Sequence, residues 1–173
     1  TPPEDAERLV EFDLRQSVYS LPAAESYSAA ARRRGGRIRV HLKIDTGMGR
    51  LGLVPAALSR AGDGDPVGDD LLRTAQAVAR LPGLEAEGIF THFAASDSAD
   101  KSHAREQLRI FLEVLARLKR GGVEFALRHA ANSAALCAGP DAWGGSVRPG
   151  LALYGAMTPP AACGLELQPV LSW

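Results

Sequence analysis

Residues 37–53 read RIRVHLKIDTGMGRLGL. Ile38, Val40, Leu42 and Ile44 alternate with Arg39, His41, Lys43 and Asp45. This is the period-2 signature of a strand with two unlike faces. Gly47, Gly49 and Gly52 then break the alternation, with Met48 and Arg50 between them. The stretch is a buried strand feeding a glycine-rich loop. Loops carried on rigid strands are where binding and catalytic groups concentrate. A strand followed by a plain tight turn fits the same letters, so the surrounding chain must decide.

Upstream, TPPEDAERLVEF predicts a helix over 4–12, with Thr1 and Glu4 at capping-box spacing and Pro2 suited to a first turn. A short strand at 16–19 precedes an Ala-rich helix over 22–34. That helix ends in Arg32, Arg33 and Arg34, then Gly35 and Gly36. Cations in the last turn and glycine beyond it suit a solvated helix end better than an anion patch. Downstream, a helix is expected over 55–61 and a polar loop, GDGDPVGDD, over 62–70; the loop lacks the ligand order of a calcium loop. An amphipathic helix follows over 70–81, through Leu71, Leu72, Ala75 and Val78. Then come a strand over 85–93 and a helix over 101–120 with the apolar stripe Leu108, Phe111, Leu112, Leu115 and Leu118. A strand over 125–130, a short helix and a fifth strand over 151–154 complete the order. Strict alternation implies a parallel sheet covered by helices. Right-handed crossovers leave an open doubly wound sheet or a (β/α)8 barrel.

The composition, 46% hydrophobic and 23% charged with zero formal net charge, is that of a soluble domain without a dedicated nucleic-acid surface. No apolar run approaches the ~18 residues of a membrane span, and the opening residues do not read as a signal peptide. Cys137 and Cys163 do not make a disulfide framework, which points to a reducing, cytoplasmic compartment. The closing residues, LQPVLSW, read as the start of a strand, so the chain is expected to be an excerpt of a longer protein.

In either parallel architecture, function gathers at the carboxyl ends of the strands. Lys43, Asp45 and Arg50 follow one strand, and His92 with Asp97 the next. His129, Asn132 and Ser133 follow another, and Arg148, Gly150 and Leu151 lie at the last. A lysine turned into a barrel mouth needs an anion or a changed pKa. Asn132-Ser133 fits a helix N-cap and equally a phosphate site. Arg148-Pro149-Gly150 fits a turn, and Gly150-Leu151 could present backbone donors to phosphate. His92, Asp97 and His103 lack HxH or HExxH spacing, so no metal is expected. Neither GxGxxG nor GxxxxGK[ST] is present.

Together, VHLKIDTGMGRLGL at 40–53, GIFTHFAASD at 88–97, HAANSAAL at 129–136, VRPGLALYG at 147–155 and VYS at 18–20 resemble the pyridoxal-phosphate barrel of alanine racemases. The resemblance implies an α/β fold that is part of a (β/α)8 TIM barrel, about strands 4 to 8. Residues 1–167 would be barrel and 168–173 the start of a C-terminal β domain. His92 is similar to the histidine that packs on the pyridine ring, and Arg148 to the arginine on the ring nitrogen. Ser133, Gly150, Leu151 and the neighbouring Asn132 are similar to the phosphate ligands. Arg50 resembles the arginine near the cofactor's phenolic oxygen and the substrate carboxylate, and Lys43 the often carbamylated lysine that positions it. The implied reaction interconverts L- and D-alanine by two-base proton transfer at Cα, supplying D-alanine for peptidoglycan precursors. The full enzyme would be a cytoplasmic homodimer acting on a small amino acid, without nucleic acid or membrane. No segment matches the family's aldimine lysine, and its tyrosine base lies in a C-terminal domain, so neither proton-transfer base is expected here and the fragment alone is expected to be inactive. Serine or broad-specificity racemases share the motifs. A non-catalytic half-barrel that binds cofactor or self-associates is a reading of a different class.

Overall fold

The computed structural model describes residues 1–58, 67–142, 144–157 and 164–171. Four strands, β1 Arg15–Val18, β2 Ile38–Lys43, β3 Leu84–Phe90 and β4 Leu127–His129, form one sheet. All pairings are parallel and the spatial order is the chain order, β1-β2-β3-β4. The helices are α1 Glu7–Glu11, α2 Leu21–Arg33, α3 Asp69–Arg80, α4 Ser102–Arg120, α5 Ser133–Ala138 and α6 Gly150–Leu153. With the crossovers in one hand, sequential order puts α2, α3 and α4 in one layer. α2 indeed touches α3, and α3 touches α4. A doubly wound sheet reverses its strand order and splits its helices between two faces; this sheet does neither.

The alternation read in β2 sorts the two faces. Ile38, Val40 and Leu42 are buried among Ala30, Ala31, Leu71, Ala75 and Val78 of the helical layer in one core cluster, whereas Arg39 and His41 are only half-buried. On α4 the buried stripe runs through Gln107, Ile110, Phe111, Val114 and Leu118, while Leu112 is exposed. The expected stripe was therefore rotated by part of a turn, because a long helix with apolar residues on several sides has no single pattern-determined face.

Other expectations need correction. The chain over 151–154 is not a strand but the helix α6. Leu and Ala favour helix, Pro149 fits just before a first turn, and a four-residue apolar run carries no usable period. The segment that extends the sheet comes earlier, through single parallel bridges Arg128–Gly145 and Asn132–Arg148. The helix expected over 4–12 is a 3-10 turn at Pro3–Asp5 followed by α1, with no side-chain cap at either start. Pro2 itself takes the N-cap position of the first turn, and proline has no side-chain oxygen with which to cap. The helix over 55–61 is a 3-10 turn at Ala56–Leu58; residues 59–61, most of the aspartate-rich loop (62–66) and Cys163 lie outside the described residues. Residues 168–171 make no strand; Val170 N–H donates to Tyr154 O at 3.3 Å. The triple arginine ends α2 as expected, with Arg33 and Arg34 both paired to Glu7.

Candidate functional site

Every strand points its carboxyl end to one edge. β2 ends at Lys43, and the chain folds back so that Asp45 N–H donates to Leu53 O and Leu53 N–H to Lys43 O, both at 2.9 Å. Inside this fold-back, Asp45 Oδ1 accepts the N–H groups of Gly47, Met48 and Gly49, and Oδ2 that of Arg50. Burial pushes the Asp45 carboxyl up, but the four backbone donors outweigh it and hold the pKa below the ordinary value. The glycine loop is thus a carboxylate-organised turn that delivers Arg50.

β3 ends at Phe90 and leads through Thr91 to His92. Thr46 and Thr91 join the two loops by a buried hydroxyl pair at 2.7 Å. Gln107, buried on α4, accepts Ala94 N–H through Oε1 and donates through Nε2 to His92 O. A polar residue inside a buried helical stripe was the available sequence signal for this clamp.

β4 ends at His129, and Asn132 caps α5 by accepting Ala135 N–H at 3.1 Å. Asn132 Oδ1 also accepts from Ser96 Oγ at 2.7 Å. Ser133 Oγ accepts Ala152 N–H at 3.1 Å, which leaves its own hydroxyl proton to donate. Of the two backbone donors expected beyond Arg148, the N–H of Gly150 goes to Arg148 O at 2.9 Å. That of Leu151 lies in the first turn of α6, where no intrahelical acceptor is within reach.

Arg148 lies centrally. Its Nη1 donates to His129 Nδ1 at 2.5 Å, and its Nη2 to Thr91 O at 2.7 Å and Ala130 O at 3.0 Å. A guanidinium has five N–H donors, so two remain for a ligand. Burial pushes its pKa down to about 10, which still leaves it protonated at neutral pH. Phe90 stacks on His129 with centroids 4.9 Å apart, and Arg148 and Lys43 lie 5.3 and 5.8 Å from its centroid. Burial first, then the charges of Arg148, Arg50 and Lys43, lower the His92 pKa and keep it neutral. Burial, then Arg50 and Arg148, likewise lower that of Lys43, against Asp45.

His92, Asn132, Ser133, Arg148, Gly150 and Leu151, expected from sequence to belong together, line one cleft of about 310 Å³. Met48, Asp97 and Ser96 share its wall with Phe93, Ala94 and Ala134. Lys43 and Arg50 stand outside the lining but reach His92 through their charge. Two grooves of about 320 Å³ between α4 and β4 are walled mainly by Leu108, Phe111, Leu115 and Phe125 and gather no comparable set of polar groups. Among the described residues, no three His, Cys, Asp or Glu side chains are placed to share an ion.

Residues 1–158 match the family model "Alanine racemase, N-terminal domain". The chain belongs to this family. It is 44% identical over 155 residues to the alanine racemase of Desulfosudis oleivorans, covering 90% of this chain and 39% of that protein. To the alanine racemase of Helicobacter pylori it is 41% identical over 159 residues, again 90% of this chain and 39% of the relative. The solved alanine racemase of Clostridium difficile 630 in complex with cycloserine superposes with a TM-score of 0.84 at 31% identity, over 98% of this chain and 44% of that one. The parallel sheet and its helical layer are thus similar to the alanine racemase barrel. The chain spans about two fifths of the length of the alanine racemases it matches.

Proposed function

We propose that this chain forms the cofactor-binding part of an alanine racemase, a pyridoxal-phosphate-dependent isomerase interconverting L- and D-alanine. The observation that carries the reading is the single cleft lined by His92, Asn132, Ser133, Arg148, Gly150 and Leu151. The donor set fits the cofactor. Among the described residues two N–H groups of Arg148, on Nε and Nη1, have no acceptor, the Ser133 hydroxyl proton and the Leu151 N–H are available to a phosphate, and unmatched cations favour a ligand with anionic ends.

When bound, pyridoxal phosphate supplies the electron-withdrawing ring that acidifies Cα. Arg148 would donate to the ring nitrogen and stays protonated at neutral pH, so that nitrogen would remain an acceptor and the ring a weaker electron sink. A weaker sink favours prompt reprotonation at Cα over side reactions. His92, its pKa lowered by burial and the nearby cations, would lie against the ring as a neutral imidazole. Ser133, Asn132 and the backbone donor of Leu151 would hold the phosphate, joined by that of Gly150 only where the anion displaces Arg148 O from it. Arg50, delivered by the Asp45 turn, orients the substrate carboxylate. The depressed Lys43 pKa raises the share of free amine, the form that adds carbon dioxide, and a carbamate there would be the anion that positions Arg50.

In this reading the four strands and the bridged segment 145–148 occupy about strands 4 to 8 of the barrel, and 168–173 lead into a second domain. The proton-transfer groups come from outside these residues, so the 173-residue chain binds cofactor without racemising alanine. The test pairs two measurements. Pyridoxal phosphate titrated into the chain gives a saturable absorbance change that Arg148→Ala and Ser133→Ala weaken. The complete protein interconverts alanine enantiomers faster than serine. Absence of cofactor binding would sink the reading; preference for serine would move it to a sister racemase.

A further inference from the structure

Beyond the residues assigned above, a chain of hydrogen bonds crosses the inner face of the sheet and ends on Arg148. It takes one residue from each strand. Arg15 of β1 grips Glu87 of β3 at 2.7 and 3.1 Å. Glu87 Oε2 lies 2.9 Å from His41 Nε2 of β2, and His41 Nδ1 lies 2.8 Å from His129 Nε2 of β4. His129 Nδ1 meets Arg148 Nη1.

The direction of every bond is fixed from the two ends. Arginine only donates, so His129 Nδ1 must accept and its proton sits on Nε2. That N–H donates to His41 Nδ1, which puts the His41 proton on Nε2, where an ionised carboxylate accepts it. Glu87 suits that end, since Arg15 and then His41 hold its pKa down at about 2. His129 stays neutral, its pKa lowered to about 4 by burial and then by Arg148 and His41. Either ring, if flipped in tautomer, would set donor against donor within a partly buried network.

The backbone is shaped to allow this. The register of β2 on β3 slips between Val40 and His41, so that Val40 pairs with Ala86, His41 with Gly88, and Glu87 is the extra residue. Bulges re-aim side chains. A Cβ on Gly88 would lie 2.6 Å from His41 Nδ1, so the missing side chain is what gives the ring its place. Among the described residues no carboxylate contacts Arg148 directly; the anion at the end of its network is Glu87, two imidazoles away.

We propose that Glu87, His41 and His129 are positioning residues, a one-way relay that locks the Arg148 guanidinium as a fixed donor to the cleft, and through it the ring nitrogen of the cofactor. The second half of this statement rests on the cofactor reading above; the first does not.

The test labels the four histidines with 15N, assigning each by single substitution. Nitrogen shifts separate the two tautomers from the cation. At neutral pH, without cofactor, His41 and His129 are both expected as neutral Nε2–H rings. A protonated or Nδ1–H ring at either position overturns the relay. Glu87→Ala is expected to mix the tautomers of both rings and to weaken pyridoxal-phosphate binding about tenfold with a shifted absorbance band, the size common for a supporting partner. Glu87→Gln, whose amide oxygen accepts the same N–H, is expected to restore the tautomers and most of the affinity. If Glu87→Ala fails to fold, Gly88→Ala displaces the His41 ring without changing any charge and should mix the tautomers likewise. A structural role alone would lower stability and leave tautomers and absorbance band unmoved, which overturns the proposal. If the wild-type chain has the expected tautomers but binds no cofactor, the relay stands and the cofactor reading falls.

Discussion

Asp45 and Arg50 are tied across the glycine loop by a carboxylate-to-backbone bond of 2.8 Å, the last of four such bonds made by one side chain. Asp45→Ala would leave four N–H groups in a partly buried turn without their acceptor. We expect a loss of about 2 kcal/mol in urea unfolding, in line with stranded buried donors, together with loss of a single ordered Arg50 backbone amide signal. A loss under about 0.5 kcal/mol would mean that water replaces the carboxylate at no cost.

The same turn sets a contrast between two glycines. Gly52 has φ 145°, and a Cβ there would meet the Asp45 backbone nitrogen, whereas Gly49, at φ 71°, faces open space. Gly49→Ala should cost about 1 kcal/mol, the usual penalty of a left-handed alanine. Gly52→Ala should cost at least twice that, because backbone must move. Equal thermal shifts for the two variants would count against the fold-back geometry.

Gln107→Leu removes the clamp on His92 O and Ala94 N–H while keeping an apolar volume on α4. The stranded backbone groups predict a destabilisation of about 1–3 kcal/mol and weaker cofactor binding than Gln107→Glu, which retains the acceptor for Ala94. Calorimetric titration of both variants decides this; indistinguishable affinities would confine Gln107 to packing.

The acid limb of stability should carry the signature of His129. Its folded pKa, about 4, lies below the ordinary 6.5. Between those values the unfolded chain binds a proton that the folded chain refuses, so stability falls as pH falls through this window. The slope is about 1.4 kcal/mol per pH unit for one proton, about 3 kcal/mol in all. His92 shifts in the same direction and steepens the limb. Glu87, held near 2, adds its own loss only below about 4.5. Urea unfolding at pH 7.0, 5.5 and 4.5 should show the decline, and His129→Gln should flatten it. An unchanged slope would locate the proton uptake elsewhere.

How far these features were readable in the letters differs by residue. Ile38 to Ile44 carry their alternation openly because each face meets a different medium, and the sheet follows. The six cleft-lining residues were legible because they fall within short motifs at strand ends, where parallel topology converges them. Leu151 to Leu153 misled because an apolar run of that length suits either period, and the choice fell to Pro149 and to the absence of a pairing partner. The role of Glu87 was not legible: it depends on a one-residue register slip that no local pattern encodes, and alternation alone would assign its side chain without regard to the bulge. Asp45 looked like a site carboxylate; its oxygens are occupied by the turn it organises.

The agreement between chain order and spatial order has a kinetic consequence. Within the described sheet each strand pairs with its neighbour in the sequence, so none of its three ladders waits for a remote segment. During synthesis β1, α2 and β2 can close while β4 is still unmade. Arg148 emerges last of the relay, so His41 and Glu87 meet first and the cleft is the final part to take shape. A substitution at Glu87 or Gly88 should therefore act early, on the strand pair that later steps build upon, whereas one at Arg148 should leave the rate of assembly untouched and alter only what the finished edge can hold.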